Sequence, residues 1–404
     1  MPARDELSAR IDALLDRTVA LRHDLHAHPE IRFREERTSA AVRERLTTLG
    51  IEHATGIGGE EPGTGFGVVA HLPATTDDPG PCVALRADMD ALPIRERTGA
   101  PYASTTDAVM HACGHDGHTA ILAGAAEVLA QTDHRPNPVT LVFQPAEEGG
   151  AGADKLIRDG VLDGSILGTP VSRIYGLHGW PDEALGTLAT RPGPLLAAAD
   201  MFSLTVRGVQ AHAAYPHLAR DPVLAGSAIV ANAQSIVSRE TKPTDAAVVS
   251  ITRFHAGTAH NIIPELAHLQ GTVRSLSEDQ RRINREALER VASHTAAALG
   301  CEASIEWVPG YPVTHNDPRE VDRMLHAARS CDRVRTTKLV ESPTLGGEDF
   351  AFYAAKVPAC FAFIGLNPDP DTPYPGLHTP VFDFNDDALG IGIEVMCRLA
   401  LAEP

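Results

Sequence analysis

The sequence predicts an α/β protein: a mostly parallel sheet wrapped by helices and interrupted by a smaller βαββαβ domain. Three observations predict it. Short β-rich runs alternate with helical ones through the first 190 residues, the mark of parallel strands joined by crossover helices. Acidic and histidine residues gather at the ends of four such runs, where open α/β sheets bind ligands. From Arg191 to Pro309 the pattern changes, and a strand and a helix of the first kind resume afterwards. A chain of 404 residues also exceeds the roughly 250 to 300 at which single cores stop growing.

The N-terminal stretch MPARDELSARIDALLDRTVALRHDLHAHPE carries charges throughout and lacks the apolar core of a signal peptide. It reads as one amphipathic helix with Leu7, Ile11, Leu14, Leu15 and Leu25 on a single face. Pro29 ends that helix, and the alternating His26 and His28 find no further donor nearby, so they are expected to pack the helix onto the sheet rather than bind a metal. PCVALRADMD is a strand through Leu85 that ends in Asp88 and Asp90. GHTAILAGAAEVLAQ is a helix, PVTLVFQPAEEGG a strand through Phe143 followed by Glu147 and Glu148, and GADKLIRDG a further helix. SRIYGLHGW is a strand ending at His178, and ACFAFIGL another, followed by His378 in PYPGLHTPVFDF.

Between the last two lies the insert. DMFSLTVRG, AAVVSITRFHAG, ELAHLQGTVRSL and EASIEWVPG read as strands, with helices in DPVLAGSAIVANAQSIVSRE and SEDQRRINREALERVASHTAAALG. The order βαββαβ is the ferredoxin-like pattern. The expected organisation is a catalytic domain in two parts, residues 1–190 and 310–404, around an inserted domain of residues 191–309.

Composition narrows the function. A formal charge of −18 opposes broad contact with nucleic acid or an anionic membrane. No apolar run reaches the length of a membrane span, and no glycine-rich phosphate loop offers a foothold for nucleotide chemistry. Six cysteines with scattered spacing in a large chain read as reduced thiols, which points to the cytoplasm. Five of them, Cys82, Cys301, Cys331, Cys360 and Cys397, belong to apolar or strand-like segments and read as core.

MHACGHDGHTA, residues 110–120, holds the densest chemistry. Cys113 and His115 flank a glycine just before a helix, so both can turn toward one cation, and the helix dipole favours an ionised thiol. The bland alternative is a small buried thiol beside an exposed histidine; His111 and His118 read as packing or hydrogen-bonding residues. Glu147 and Glu148 are adjacent, and in extended chain they point opposite ways. One carboxylate can then coordinate a cation while the other faces a water, although a Glu-Glu pair is more often a solvated loop. With His178 and His378 the set reaches five donors beyond one base, enough for two divalent ions. Mixed imidazole, carboxylate and thiolate ligands favour zinc, with manganese, cobalt or nickel as further candidates.

HACGHD, FQPAEEGG, the His178 segment and GLHTPVF resemble the amidohydrolase branch of the two-metal aminoacylase and carboxypeptidase family. HAHPEIRFREERTS, RADMDALPI, AHAAYPHLARDP, HNIIPE, GTVR and GGEDFAFY resemble its other landmarks, in order and nearly end to end. The departures are PEIRF, where Leu is commoner after Pro-Glu, and GPLLAAAD, where a methionine is common.

The resemblance implies a zinc-peptidase-like catalytic domain with the insert as lid and dimerisation domain. It implies two divalent ions per subunit, Zn2+ or Mn2+ with Co2+ or Ni2+ as alternatives. Cys113 would bridge them, and His115, Glu148, His178 and His378 would complete the coordination. Glu147 would be the general base, and Asp88 or Asp90 would hold a ligand imidazole in its tautomer. In the insert, His212 resembles the residue that stabilises the oxyanion, in cis or from a partner subunit. Asn261 and Arg274 resemble contacts to a substrate carboxylate. The implied reaction is hydrolysis of a small-molecule N-acyl amino acid to a carboxylic acid and a free amino acid, by a homodimer formed through the insert.

Three rivals stand beside that reading. One is a dipeptidase or carboxypeptidase using the same two metals, and another a metal-stabilised binding protein that has lost catalysis. The third is a hydrolase with Cys113 as nucleophile, which the surrounding carboxylates disfavour by suppressing a thiolate.

Overall fold

A computed structural model of the protein describes residues 4–403. The chain divides into two compact units. The first comprises Met1–Leu195, His315–Ser342 and Asp349–Pro404; the second comprises Leu196–Thr314 and Pro343–Glu348.

The first unit begins with α1 (Arg4–Asp12) and α2 (Leu15–Ala27) where one helix was expected. The break comes where the Leu14 N–H bonds back to Ile11 O, a tightened closure that ends the first helix. The predicted face survives the break. Leu7, Ile11, Leu14 and Leu25 are buried, and the stripe continues between them through Thr18 and Arg22. Next come α3 (Glu36–Thr48), β1 (Glu52–Ile57), β2 (Gly67–Leu72), β3 (Cys82–Asp88), α4 (His115–Ala130) and β4 (Val139–Gln144). They are followed by α5 (Gly152–Asp159), β5 (Val171–Ala184) and β6 (Thr187–Thr190).

The second unit carries β7 (Ala198–Arg207), α6 (Pro222–Ser235), β8 (Ala247–Ala256), β9 (Leu266–Ser275), α7 (Glu278–Ala298) and β10 (Glu302–Val308). Its sheet order is β8–β9–β7–β10 with every neighbour antiparallel, the ferredoxin-like arrangement. Alternate residues of β7 are buried: Phe202, Leu204 and Val206 face α6 and α7 in one core with Ile229 and Leu288.

The first unit resumes with α8 (Pro318–Arg329), β11 (Thr336–Leu339), β12 (Ala359–Asn367) and α9 (Leu389–Ala400). Its eight strands lie in the order β1–β2–β4–β3–β5–β12–β6–β11. The central four, β4–β3–β5–β12, are parallel. They read as continuous apolar runs because both faces are covered. Alanine and glycine along α4 let it approach α2 and α9 closely: a Cβ at Gly124 would strike Ile393, and one at Gly117 the ring of Phe384.

β5 does not end at His178 but continues six residues to Ala184, because β12 keeps pairing with it as far as Trp180 and Ala184. On its other side the ladder with β3 stops at Arg86–Gly176, two residues before His178. A notch therefore opens beyond the carboxyl ends of β3 and β4, beside a strand that runs on. All six cysteines are buried and unpaired. Among the described residues no helix is long and apolar enough to cross a membrane.

Candidate metal centre

Four chain segments deliver side chains to the notch, and three of them bend sharply to do so. Gly114, at φ +83°, turns the chain between Cys113 and His115 so that both face inward at the start of α4. After β4, Ala146 takes φ +57° and Gly149 φ +75°, a tight turn that presents Glu147 and Glu148. His378 is at φ +60°, its N–H bonded to Ala112 O at 2.8 Å. Left-handed backbone at non-glycine residues costs about 1 to 3 kcal/mol each and persists where surrounding contacts over-determine it.

The donors converge. Cys113 Sγ lies 3.4 Å from His178 Nε2 and 3.3 Å from His378 Nε2. His378 Nε2 is also 3.1 Å from Glu148 Oε1. Two donor triplets share the thiol, Cys113–His115–His178 and Cys113–Glu148–His378, each with its atoms within 4.8 Å of one another. Glu147 joins His115 and Glu148 in a third such group. The set suits divalent metals on the structure's own terms. His115 is fully buried, yet neither ring nitrogen is hydrogen bonded: Nδ1 stands 3.5 Å from Asp90 and Nε2 3.9 Å from Asp88. A buried imidazole with both nitrogens unmet is costly unless something outside the chain meets it.

The remaining polar groups orient this set. His178 Nδ1 donates to Gly179 O at 2.8 Å, which leaves the Nε2 lone pair facing Cys113. His118 uses both nitrogens elsewhere: it accepts from Gly179 N–H at 2.8 Å and donates to Asp88 Oδ1 at 2.7 Å. Asp88 is also held by Arg86 at 2.7 Å. Asp90 accepts the N–H groups of Glu147 and Glu148, both at 2.9 Å. The Asp349 N–H reaches Glu147 Oε1 at 3.3 Å. His26 does not pack on the sheet; its Nδ1 meets Asp116 on α4 at 2.8 Å. Asp116 in turn pairs with buried Arg22 at 3.2 Å.

The electrostatics are those of an uncompensated donor cluster. Burial, then the Glu148 charge, pushes the Cys113 thiol up. Burial lowers His178, with His118 beside it adding to the effect. His378 is raised to about 10, first by its hydrogen bond to Cys113 and then by that to Glu148. Glu148 is lowered; burial opposes this, but His378 and His115 outweigh it. A coordinating cation would reverse the order at the thiol, since bound thiols are deprotonated.

Three expected residues belong to the second unit. His212 is exposed on the short strand Ala211–His212, paired opposite Ile262. Asn261 precedes that partner strand and its carbonyl accepts the Ala213 N–H at 3.0 Å, so His212 and Asn261 are neighbours. Arg274 lies apart from them, half-buried near the end of β9.

Residues 84–402 match the sequence pattern of Peptidase family M20/M25/M40. The chain belongs to this family. N-acetylcysteine deacetylase of Bacillus subtilis is 39% identical over 386 residues, covering 95% of this chain and 96% of its own. Thermostable carboxypeptidase 2 of Saccharolobus solfataricus is 35% identical, covering 98% of each chain. The crystal structure of a dinuclear metal-binding M20 peptidase of Bacillus subtilis superposes with a TM-score of 0.81 at 36% identity, covering 96% of this chain and 98% of that one. Like its M20 relatives, the protein is a metal-dependent amidohydrolase. The cluster at the notch holds the donor types such a hydrolase needs.

Sequence reasoning missed several residues around the cluster. Glu35 Oε1 accepts the Ala146 N–H at 2.8 Å, and Arg32 donates to Glu148 O. Both belong to the HAHPEIRFREERTS landmark, which carried resemblance but no role. Asp349 belongs to GGEDFAFY, likewise quoted without a role.

Proposed function

We propose that the protein hydrolyses the amide bond of N-acyl amino acids, releasing a carboxylic acid and a free amino acid, with Glu147 as general base. The observation that carries this reading is the pair of donor triplets sharing Cys113, with the Glu147 carboxylate beside both Glu148 and His115. Cys113, His115, Glu148, His178 and His378 would hold two divalent ions, zinc or manganese, with cobalt or nickel as alternatives. When bound, such ions lower the pKa of water and polarise a carbonyl.

Glu147 takes the proton of the attacking water and returns it to the leaving nitrogen. The Asp349 N–H at 3.3 Å and the 6% exposure of Glu147 support a fixed, partly desolvated carboxylate. His212 donates to the oxygen that gains negative charge. The Ala214 N–H donates to its Nδ1 at 3.0 Å, which leaves Nε2 protonated and outward. Whether it serves its own chain or a second copy follows from the oligomer. Arg274, with Asn261, recognises the substrate carboxylate. Arg274 is half-buried near the end of β9, and its guanidinium fork matches the geometry of a carboxylate.

The N-acyl reading is favoured over a peptidase because a relative matching almost the whole chain is named an N-acetylcysteine deacetylase. The carboxypeptidase reading keeps one observation of its own, the similarly complete match to a thermostable carboxypeptidase. The inserted domain is proposed as lid and dimerisation surface, and the buried, unpaired cysteines support a cytoplasmic enzyme.

The test is amine release from N-acyl amino acids, their C-terminal amides and dipeptides, with zinc- or manganese-loaded protein. The proposal expects the free-carboxylate N-acyl substrates to be fastest and the amides to lose at least tenfold in kcat/KM. Dipeptides turning over faster than every N-acyl analogue would replace it with the peptidase reading.

A further inference from the structure

We propose that Glu35 is a positioning residue that holds the Ala146–Glu148 turn in its left-handed conformation and thereby aims Glu147 and Glu148. The proposal rests on the assignment of those two glutamates as base and metal ligand. Three consecutive N–H groups, of Ala146, Glu147 and Glu148, point to one side of the turn. Glu35 Oε1 accepts the first at 2.8 Å, and the two oxygens of Asp90 accept the others at 2.9 Å each. Asp90 therefore fixes the N–H groups of the two glutamates and Glu35 that of Ala146, the residue whose φ of +57° sets the direction of both; the Ala146 carbonyl accepts the Gly152 N–H at 3.1 Å from the far side of the turn.

The segment carrying Glu35 is itself fastened to the site. Phe33, at φ +60°, packs its ring where a Cβ on Gly150 would meet it at 3.1 Å. The Ala91 N–H donates to Glu30 O at 2.8 Å, next to Asp90, and Arg32 donates to Glu148 O. Glu35 precedes α3, and its carbonyl accepts the Ser39 N–H at 2.8 Å, so its backbone is anchored by the helix. Its side chain is fully buried, and Oε2 has no partner among the described residues. A buried carboxyl with one oxygen unmet detracts from stability. What it supplies is the acceptor for the Ala146 N–H at the strained turn.

The experiment compares the full-length parent with Glu35→Ala, Glu35→Asp and Glu35→Gln. Readouts are kcat, KM, the zinc dissociation constant by competition with a chromophoric chelator, and the thermal midpoint. The expected result is that Ala and Asp each lower kcat at least tenfold and weaken zinc binding at least tenfold, with KM within threefold. Gln keeps an acceptor oxygen at the same reach and recovers both to within threefold. Parent-like kcat and zinc affinity in the Ala or Asp variant would overturn the proposal. So would equal losses in Gln and Ala that track a fall in midpoint, since only core stability would then be at stake. Should the Ala variant not fold, the Asp variant carries the same decision. Glu147→Gln run in parallel separates the two layers. Parent-like turnover there removes the base assignment, while zinc affinity in the Glu35 variants still decides whether the turn is held.

Discussion

At the scale of single residues, Glu147 and Glu148 are chemically alike and differ only in their surroundings. Glu148 is paired with His378 at 3.1 Å, whereas Glu147 is more deeply buried and receives the Asp349 N–H. Replacing Glu147 by Gln keeps the shape and removes the proposed base; kcat is expected to fall about 10²- to 10⁴-fold. Metal content, measured by elemental analysis of the same sample, is expected to stay at the parent value. His26 supplies a prediction in pH. Burial opposes its protonation, but the Asp116 carboxylate at 2.8 Å outweighs it and raises the imidazole from 6.5 to about 10. A group raised on folding contributes stability that is complete below its unfolded pKa, here 6.5, and lost as pH rises through about 10. The thermal midpoint is thus expected to decline between pH 7 and 10. His26→Gln should lower stability at pH 7 by about 1 to 3 kcal/mol and flatten that decline. Neither set of partners was legible from sequence. Cys113 and His115 announce themselves because they are two residues apart. The role of His118 depends on Asp88 and Gly179, which stand 30 and 61 residues away in the chain.

At the scale of elements, the site is made by where strands end and how tightly the chain turns there. Strand interiors were readable because continuous apolar runs such as VTLVF and CFAFIGL are what a doubly covered parallel sheet requires. Ends were less readable. The extension of β5 past His178 depends on pairing with β12, a strand almost two hundred residues later in the chain. The N-terminal helix break depends on one local hydrogen bond that no periodicity reports. The turn after β4 is tightly constrained. A Cβ on Gly152 would run into the carbonyl oxygen of Pro145, so the start of α5 and the end of β4 fit only with glycine there. Gly152→Ala is expected to destabilise the protein by about 1 to 3 kcal/mol and to lower zinc affinity as the turn shifts. Denaturant unfolding and chelator competition measure the two effects. Unchanged zinc affinity in a folded Gly152→Ala protein would show that the turn tolerates displacement.

For the whole molecule, a metal-dependent hydrolase is encoded together with a ferredoxin-like unit in one chain, and that unit exposes apolar side chains. Tyr215, Leu218 and Leu224 are 56%, 63% and 56% exposed around the start of α6. A second copy of the chain is the proposed occupant of this surface. Sedimentation is expected to show a dimer, and Leu218→Glu combined with Leu224→Glu to shift it toward monomer; a monomeric parent at micromolar concentration would remove the dimer. The insert's strand order was legible because alternating burial and turn residues are local signals. The organisation of the notch was legible only in its candidate donors, since the residues hydrogen bonded around them are scattered through the chain from Arg32 to Asp349. The central claim is that Cys113, with His115, Glu148, His178 and His378, would hold two divalent ions. Its most direct test is zinc stoichiometry and affinity, by titration of metal-stripped protein, in the parent and in Cys113→Ala. The account predicts two equivalents per chain in the parent and weakened binding of both in the variant. Two equivalents bound with parent affinity by Cys113→Ala would contradict it.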